Sequence, residues 1–304
     1  MKAFLPILAI ALGAIVTPAS QYSEAIRVLL IVMLLNAFIG IEFKSIYKQI
    51  HMRSGLVVFA NIGLGFIWYI LIAPFDESLA EIVFLTAISP TAIAAPAMAS
   101  FWGGNVEFVT ASVILTNGAI AFSLPFLSQF LFQIDSEIST LNILQSVAIL
   151  ILTPLGISRL FNHNKYREKY QEILPKVSLA SWAIVLFLAS AKASHFIRYE
   201  TQESWTVLVA IAILSALVCS SSFYLGRYLG GAQLDRESSQ SLGHKNTMFT
   251  VWFALSFLKP TLALGPMFYI IFQNLYNAYQ ISQVRHFTGS SSSQAPSHSS
   301  HRIK

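Results

Sequence analysis

Charge is what this chain has least of: Asp, Glu, Lys and Arg together make up 11% of its 304 residues, against about a quarter in a soluble domain. With 55% hydrophobic residues, the chain is short of the polar groups needed to cover a water-facing surface, and a lipid bilayer becomes its expected surrounding. Cysteine is nearly missing as well. The single thiol, Cys219, excludes an internal disulfide framework and cannot make a structural zinc site alone. No HExxH, Walker or Ser-His-Asp pattern is present, so the sequence points to no enzyme, cofactor or metal centre. The net charge of +5 does not indicate a nucleic-acid partner, because the basic residues cluster in short connectors between apolar runs, where they act as topology signals.

Apolar runs delimited by Pro, Gly or charge predict transmembrane spans near 3–20, 25–42, 55–74, 79–101, 106–132, 141–161, 176–197, 204–230, 238–258 and 262–284. Residues 1–20 read as the first span and not as a secretory signal, since a second apolar run follows at once. Fourteen of the nineteen basic residues fall in the connectors and termini of one side, among them Lys44, Lys48, Arg53, Arg159 and Lys165. That side, with both termini, is expected to be cytoplasmic, which in a bacterium places the protein in the inner membrane. Five is an odd number, so two sets of five spans, 1–133 and 134–288, would lie in opposite orientation, the inverted-repeat plan of many carriers. The Ser- and His-rich stretch 289–304 is predicted to be a disordered cytoplasmic tail.

The fourth span of each set stands out. Ser89-Pro90-Thr91-Ala92-Ile93-Ala94-Ala95-Pro96 puts two prolines in mid-span, each lacking a backbone donor. Ser239-Gln240-Ser241-Leu242-Gly243-His244-Lys245-Asn246-Thr247 is the most polar stretch of any span. Matched interruptions point to a shared cavity, because non-helical backbone at membrane depth survives only where protein or water satisfies it. Lys245 is the sharpest residue. An ammonium near mid-bilayer costs several kcal/mol unless paired or hydrated, and the nearest acids in sequence, Asp235 and Glu237, lie towards the span's end. Carbonyls at a half-helix C-terminus, the negative end of the helix dipole, are the expected alternative partners; a structural lysine snorkelling to the interface is the competing reading. His244 reads as a packing residue or a site residue, and Asn246 and Thr247 as helix caps or ligand contacts. Thr110, Thr116 and Asn117 gain weight from the tight Gly103-Gly104-Asn105 connector that leads from the first break. Asn36, Asn61, Gln273, Asn274 and Asn277 read as interhelical glue.

The two broken segments resemble the bile acid:sodium symporter family. Ser89-Pro90-Thr91 through Gly104-Asn105-Val106 is similar to its Pro-Gly-rich break and Gly-Asn-Val turn, and Ser241-Leu242-Gly243-His244-Lys245-Asn246 resembles its Glu-x-Gly-x-Gln-Asn signature, keeping Gly243 and Asn246. The resemblance implies ten helices in two inverted five-helix repeats with broken crossover helices 4 and 9. It also implies a secondary transporter of organic anions. In the family the signature Glu and Gln, with Ser-Asn at the first break, hold sodium. Here those positions read Ser241, Lys245, Ala95 and Pro96, and two hydroxyl positions of the fifth helix read Val109 and Val113. Both sodium sites look dismantled, so a symporter driven by sodium is not expected.

The expected function is transport of a small or amphipathic organic anion by alternating access, with Lys245 as electrostatic anchor or proton-linked switch, and protons and the bilayer as further partners. The expected substrate site comprises Ser89, Thr91, Ala95, Pro96, Thr110, Asn117, Ser241, Gly243, His244, Lys245, Asn246 and Thr247, with Pro90, Pro96 and Gly243 making the breaks. The alternatives are a proton-linked cation antiporter, an auxin-carrier-like permease, and a non-transporting membrane sensor.

Overall fold

The computed structural model describes residues 5–39, 50, 52–100, 103–132, 139–162, 167–200 and 204–291. Helix accounts for 89% of the structure, with no strands among the described residues. The helices are α1 (Leu5–Ile15), α2 (Ala25–Ile39), α3 (Met52–Ile72), α4 (Glu77–Ile88), α5 (Ala95–Ser100), α6 (Val106–Leu131), α7 (Thr140–Asn162), α8 (Arg167–His195), α9 (Trp205–Gly243), α10 (Thr247–Phe257) and α11 (Leu264–Ser291). Short 3-10 turns follow α1 and precede α11, and a π-helical turn, Phe196–Glu200, closes α8. Among the described residues, five stretches are long and apolar enough to cross a membrane: Met52–Ile72, Val106–Leu131, Thr140–Leu160, Lys176–Glu200 and Trp205–Gly243.

The helices are turned inside out relative to those of a water-soluble protein. On α3 the buried face carries Ser54, Val57, Asn61, Leu64 and Gly65, while Phe59, Ile67 and Ile70 stand exposed, Phe59 by 76%. Apolar residues outward and small or polar residues inward is the pattern of helices that meet in lipid, where close backbone approach and hydrogen bonds hold neighbours together. An apolar surface of that extent would aggregate in water. The chain is an α-helical membrane protein.

Local chemistry sets the helix ends. Asp76 caps α4 by accepting from the Leu79 N–H (2.9 Å), and Asn105 caps α6 by accepting from the Phe108 N–H (2.9 Å), each satisfying one orphan first-turn donor. Gly103 supplies the positive φ of 68° that turns the chain towards Asn105. Within α9 the helical path is broken at Gly231 (φ 58°) and Leu234. This separates a long apolar arm from the polar segment ending at Gly243, where the sequence predicts two spans. The seventh predicted span starts at 176, whereas α8 begins at Arg167; Glu, Lys and Gln at 168–172 are good helix formers and carry the helix past the apolar run. The last helix runs through Ser291, beyond the predicted end at 288, and the rest of the predicted tail, 292–304, lies outside the described residues.

Two groups of helices result. In one, α1 packs along α8, α2 along α7, and α2 against α8. Gly13 allows α1 to lie directly on the Phe187 carbonyl, and the hydroxyls of Ser190 and Ser194 donate to Ile10 O (2.7 Å) and Ala14 O (2.8 Å). In the other group α3 packs on α4, α6 and α9, and α11 packs on α9, α10 and α4. The groups meet where α10 and α11 approach α2 and α8, and the interruptions lie beside that junction.

Candidate functional site

Two stretches that leave helical geometry cross each other at the centre of the second group. Residues 89–94 separate α4 from α5, and residues 244–246 separate α9 from α10. Each frees backbone groups that have no helical partner, and the crossing satisfies them: the Ala92 N–H donates to His244 O (2.7 Å) and the Asn246 N–H to Pro90 O (2.6 Å). Thr91 and Lys245 thereby face one another as an antiparallel pair. Buried backbone that bonds only across the crossing is stable solely as a unit.

Side chains of the flanking helices complete it. From α6, Thr116 Oγ1 accepts from the Thr91 N–H (3.0 Å), and Asn117 Nδ2 donates to Thr91 O and to Val113 O, both at 2.8 Å. From α11, Gln273 Oε1 accepts from the Lys245 N–H (2.9 Å), and the Tyr269 hydroxyl donates to Gly243 O (2.7 Å). The Thr91 hydroxyl donates to Ser241 O, Asn246 Nδ2 donates to Asn117 Oδ1 (3.3 Å), and the hydroxyls of Ser89 and Thr250 lie 2.8 Å apart.

Lys245 is 1% exposed. Its ammonium donates to Asn61 Oδ1, to Ala87 O (2.7 Å) and to Ser89 O (3.3 Å). An ammonium has three hydrogens, so all three are in use. Ala87 and Ser89 belong to the end of α4, whose last carbonyls lack helical partners and carry the negative end of the dipole. Asn61 Nδ2 donates to Ile88 O (2.9 Å) and Ser89 O (3.2 Å), which ties α3 to the same carbonyls. The nearest acids in sequence are engaged elsewhere: Asp235 with Arg227 (3.0 Å), and Glu237 with the Asn105 N–H (2.9 Å).

Of the residues singled out in the sequence, Ser89, Thr91, Asn117, Ser241, Lys245 and Asn246 belong to this one network. Ser241 enters through its carbonyl; its hydroxyl is buried and has no partner among the described residues. Gly243 enters through its carbonyl, and its lack of a side chain serves packing: a Cβ there would overlap the Phe223 ring, itself stacked on Tyr276 at 4.0 Å. Thr110 stands apart, its hydroxyl donating to Val106 O one turn back (2.8 Å). Ala95 packs with Val57, Phe108, Val109 and Leu242 in an apolar cluster. Pro96 is not part of the break. It is the second residue of α5, where its missing N–H is one of the donors that would lack a helical partner anyway. The break at 89–94 follows from Pro90, which holds Ser89 extended (ψ 131°) and stops α4. Pro90→Ala is therefore expected to impair function more than folding, while Pro96→Ala leaves both nearly unchanged; equal losses in melting temperature and activity for the two variants would contradict this assignment.

Asn61 and Gln273 are the contributors that sequence spacing did not separate from ordinary interhelical polar residues. Their common signal is an amide in mid-span opposite a predicted break. Among the described residues no group of three His, Cys, Asp or Glu side chains comes together to hold a metal ion.

Beside the crossing lies a cavity of about 30 Å³, room for about two waters. Met33 of α2 and Trp182 and Leu186 of α8 form one wall; His244, Thr247 and Gln273 belong to the other. The cavity thus sits between the two helix groups, apolar on one side and mixed on the other, where Ile93, Met248 and Ile270 accompany the polar groups. No family model matches this chain, and no curated protein matches it either.

Proposed function

We propose that this membrane protein is a secondary transporter of organic anions that works by alternating access, with its substrate bound at the crossing and without sodium coupling. The observation that carries the reading is the Lys245 ammonium enclosed by Asn61 Oδ1, Ala87 O and Ser89 O. A crossing of two half-helix pairs gathers carbonyl oxygens that call for a cation, and a tethered one is supplied by the chain itself. In the bile acid:sodium symporter family, which the broken segments resemble, the position of Lys245 bears an ion-binding glutamine. The fixed charge takes the part of the mobile ion here, and Ser241, Ala95 and Pro96 supply no carboxylate or amide to hold sodium.

Packing supports two inverted repeats. If α1 and α2 correspond to α7 and α8, the pairing of α1 with α8 mirrors that of α7 with α2, and the packing of α3 on α6 mirrors that of α9 on α11. Thr116 on Thr91 and Gln273 on Lys245 repeat one contact across the same axis. With ten crossings both termini are cytoplasmic, as the basic connectors favour. The first two helices of each repeat form one group and the rest the other, so rocking of one group against the other opens the cavity to either side. A cavity with room for two waters is the closed state of that cycle. Because the ammonium is committed to the α4 carbonyls, it serves as an anchor of the crossing whose field favours an anion nearby, and not as a direct ligand.

The test is a thermal-unfolding screen of the purified protein against organic anions, at two pH values, with and without sodium. A ligand that binds the folded state raises the melting temperature, by about 2.7 kcal/mol of stability at a hundred times its Kd. Stabilisation by an anion that is the same with and without sodium is expected; a library without a single stabilising anion contradicts the reading.

A further inference from the structure

The side chains of Gln240, His244, Asn277 and Gln280 form a chain of hydrogen bonds that touches neither the crossing backbone nor the Lys245 ammonium. Gln240 Nε2 donates to Asn277 Oδ1 (2.9 Å) and to Gln280 Oε1 (2.6 Å). Both amide hydrogens are thereby used, and Gln240 Oε1 remains as an acceptor only. That oxygen lies 3.2 Å from His244 Nδ1. A carbonyl oxygen cannot donate, so Nδ1 carries the hydrogen, and in the neutral ring Nε2 is left as a bare lone pair.

His244 is 6% exposed and lines the cavity between the helix groups, and among the described residues Nε2 has no hydrogen-bond partner. The nearest charged group in sequence, the Lys245 ammonium, has its three hydrogens on other oxygens. Because His244 lines the cavity, whatever occupies that space, water or a ligand, is what can donate to Nε2, and leaving the acceptor unpaired costs free energy. The cavity has room for a water to make that donation. A ligand that displaces the water has to bring a donor of its own.

We infer that His244 is a specificity-determining residue, and that the cavity takes organic acids which carry, besides the carboxylate, an N–H or O–H group placed to donate to His244 Nε2. This rests on the carrier reading above and narrows its substrate class. Once the helix groups part and enlarge the cavity, the wall of Met33, Trp182 and Leu186 receives the apolar or aromatic body of such an acid, so hydroxyaryl and indolyl acids meet both walls, and acids with only an alkyl or aryl body leave Nε2 unpaired.

Two measurements on the full-length protein test this. Nitrogen-15 spectra of the histidine-labelled protein in lipid nanodiscs, with the signal assigned by its loss in His244→Phe, should show a hydrogen on Nδ1 and a bare Nε2. Thermal unfolding is then followed with hydroxyphenyl and indolyl carboxylic acids, their O- or N-methylated counterparts, and the deoxy acids as size controls. Leaving a buried acceptor unpaired corresponds to roughly a tenfold to hundredfold loss of affinity. The donor-bearing acids should stabilise the protein at concentrations lower by that factor, and the difference should vanish in His244→Phe. A hydrogen on Nε2, or equal stabilisation of the wild type by all members of a set, overturns the inference and leaves the carrier reading standing. If no acid stabilises the protein, with or without a donor, the carrier reading falls and the inference with it.

Discussion

Lys245→Met lowers the stability of the folded protein by about 1–3 kcal/mol for each buried acceptor it leaves without a donor and, on the carrier reading, abolishes transport. Methionine keeps the length of the side chain and loses the charge, so the change strands Asn61 Oδ1 and the carbonyls of Ala87 and Ser89 in a space that water does not enter freely. Lys245→Arg keeps the cation but offers a planar fork to three acceptors that a compact ammonium serves. It is expected to keep part of the stability and to bind anions. If the lysine also carries a proton through the transport cycle, the Arg variant binds yet fails to couple transport to pH. Lys245→Gln does not create sodium dependence, since Ser241 still lacks the family's carboxylate. Thermal unfolding in detergent reads the first effect, and addition of ammonium or methylammonium to Lys245→Ala should restore part of the loss. A methionine variant that melts with the wild type would make Lys245 a bystander.

Thr91→Val has the second large effect. Valine preserves the shape of the side chain and removes the hydroxyl that donates to Ser241 O and lies 2.9 Å from Thr116 Oγ1. Ser241 O is then a buried acceptor without a donor, at a cost of about 1–3 kcal/mol. Because Thr91 sits where the two interruptions cross, the variant should lose more transport than stability. Uptake per folded molecule, normalised by size-exclusion recovery, is expected to fall by at least tenfold; a loss of stability with unchanged uptake would reduce the crossing to a packing contact. Asn117→Leu removes donors to Thr91 O and Val113 O and the acceptor for Asn246, and it should behave in the same way.

Much of this architecture is legible from residues because lipid imposes strict terms. The scarcity of charge gives the class, and Pro90 and the polar run 239–247 mark the two interruptions. Other features depend on three-dimensional register. Pro96 looks like a second break in sequence and is a helix start, since one missing N–H has opposite consequences in the first turn and in the interior. Asn61 cannot be told from Asn36 by spacing, yet one faces the last carbonyls of α4 and the other donates to Ser178 Oγ (2.9 Å). Gly243 suggests backbone freedom, whereas its backbone needs no positive φ and the constraint is the ring of Phe223. The acceptor state of His244 emerges only from the chain of amides behind it.

The central claim is that a tethered ammonium replaces a mobile cation at the crossing. Its most direct test is uptake, into proteoliposomes containing the full-length protein, of an anion selected by the unfolding screen, measured with a sodium gradient, with sodium absent, and with the proton gradient collapsed. The account predicts uptake that is indifferent to sodium in the wild type and absent in Lys245→Met. A steep sodium dependence that survives collapse of the proton gradient would contradict it.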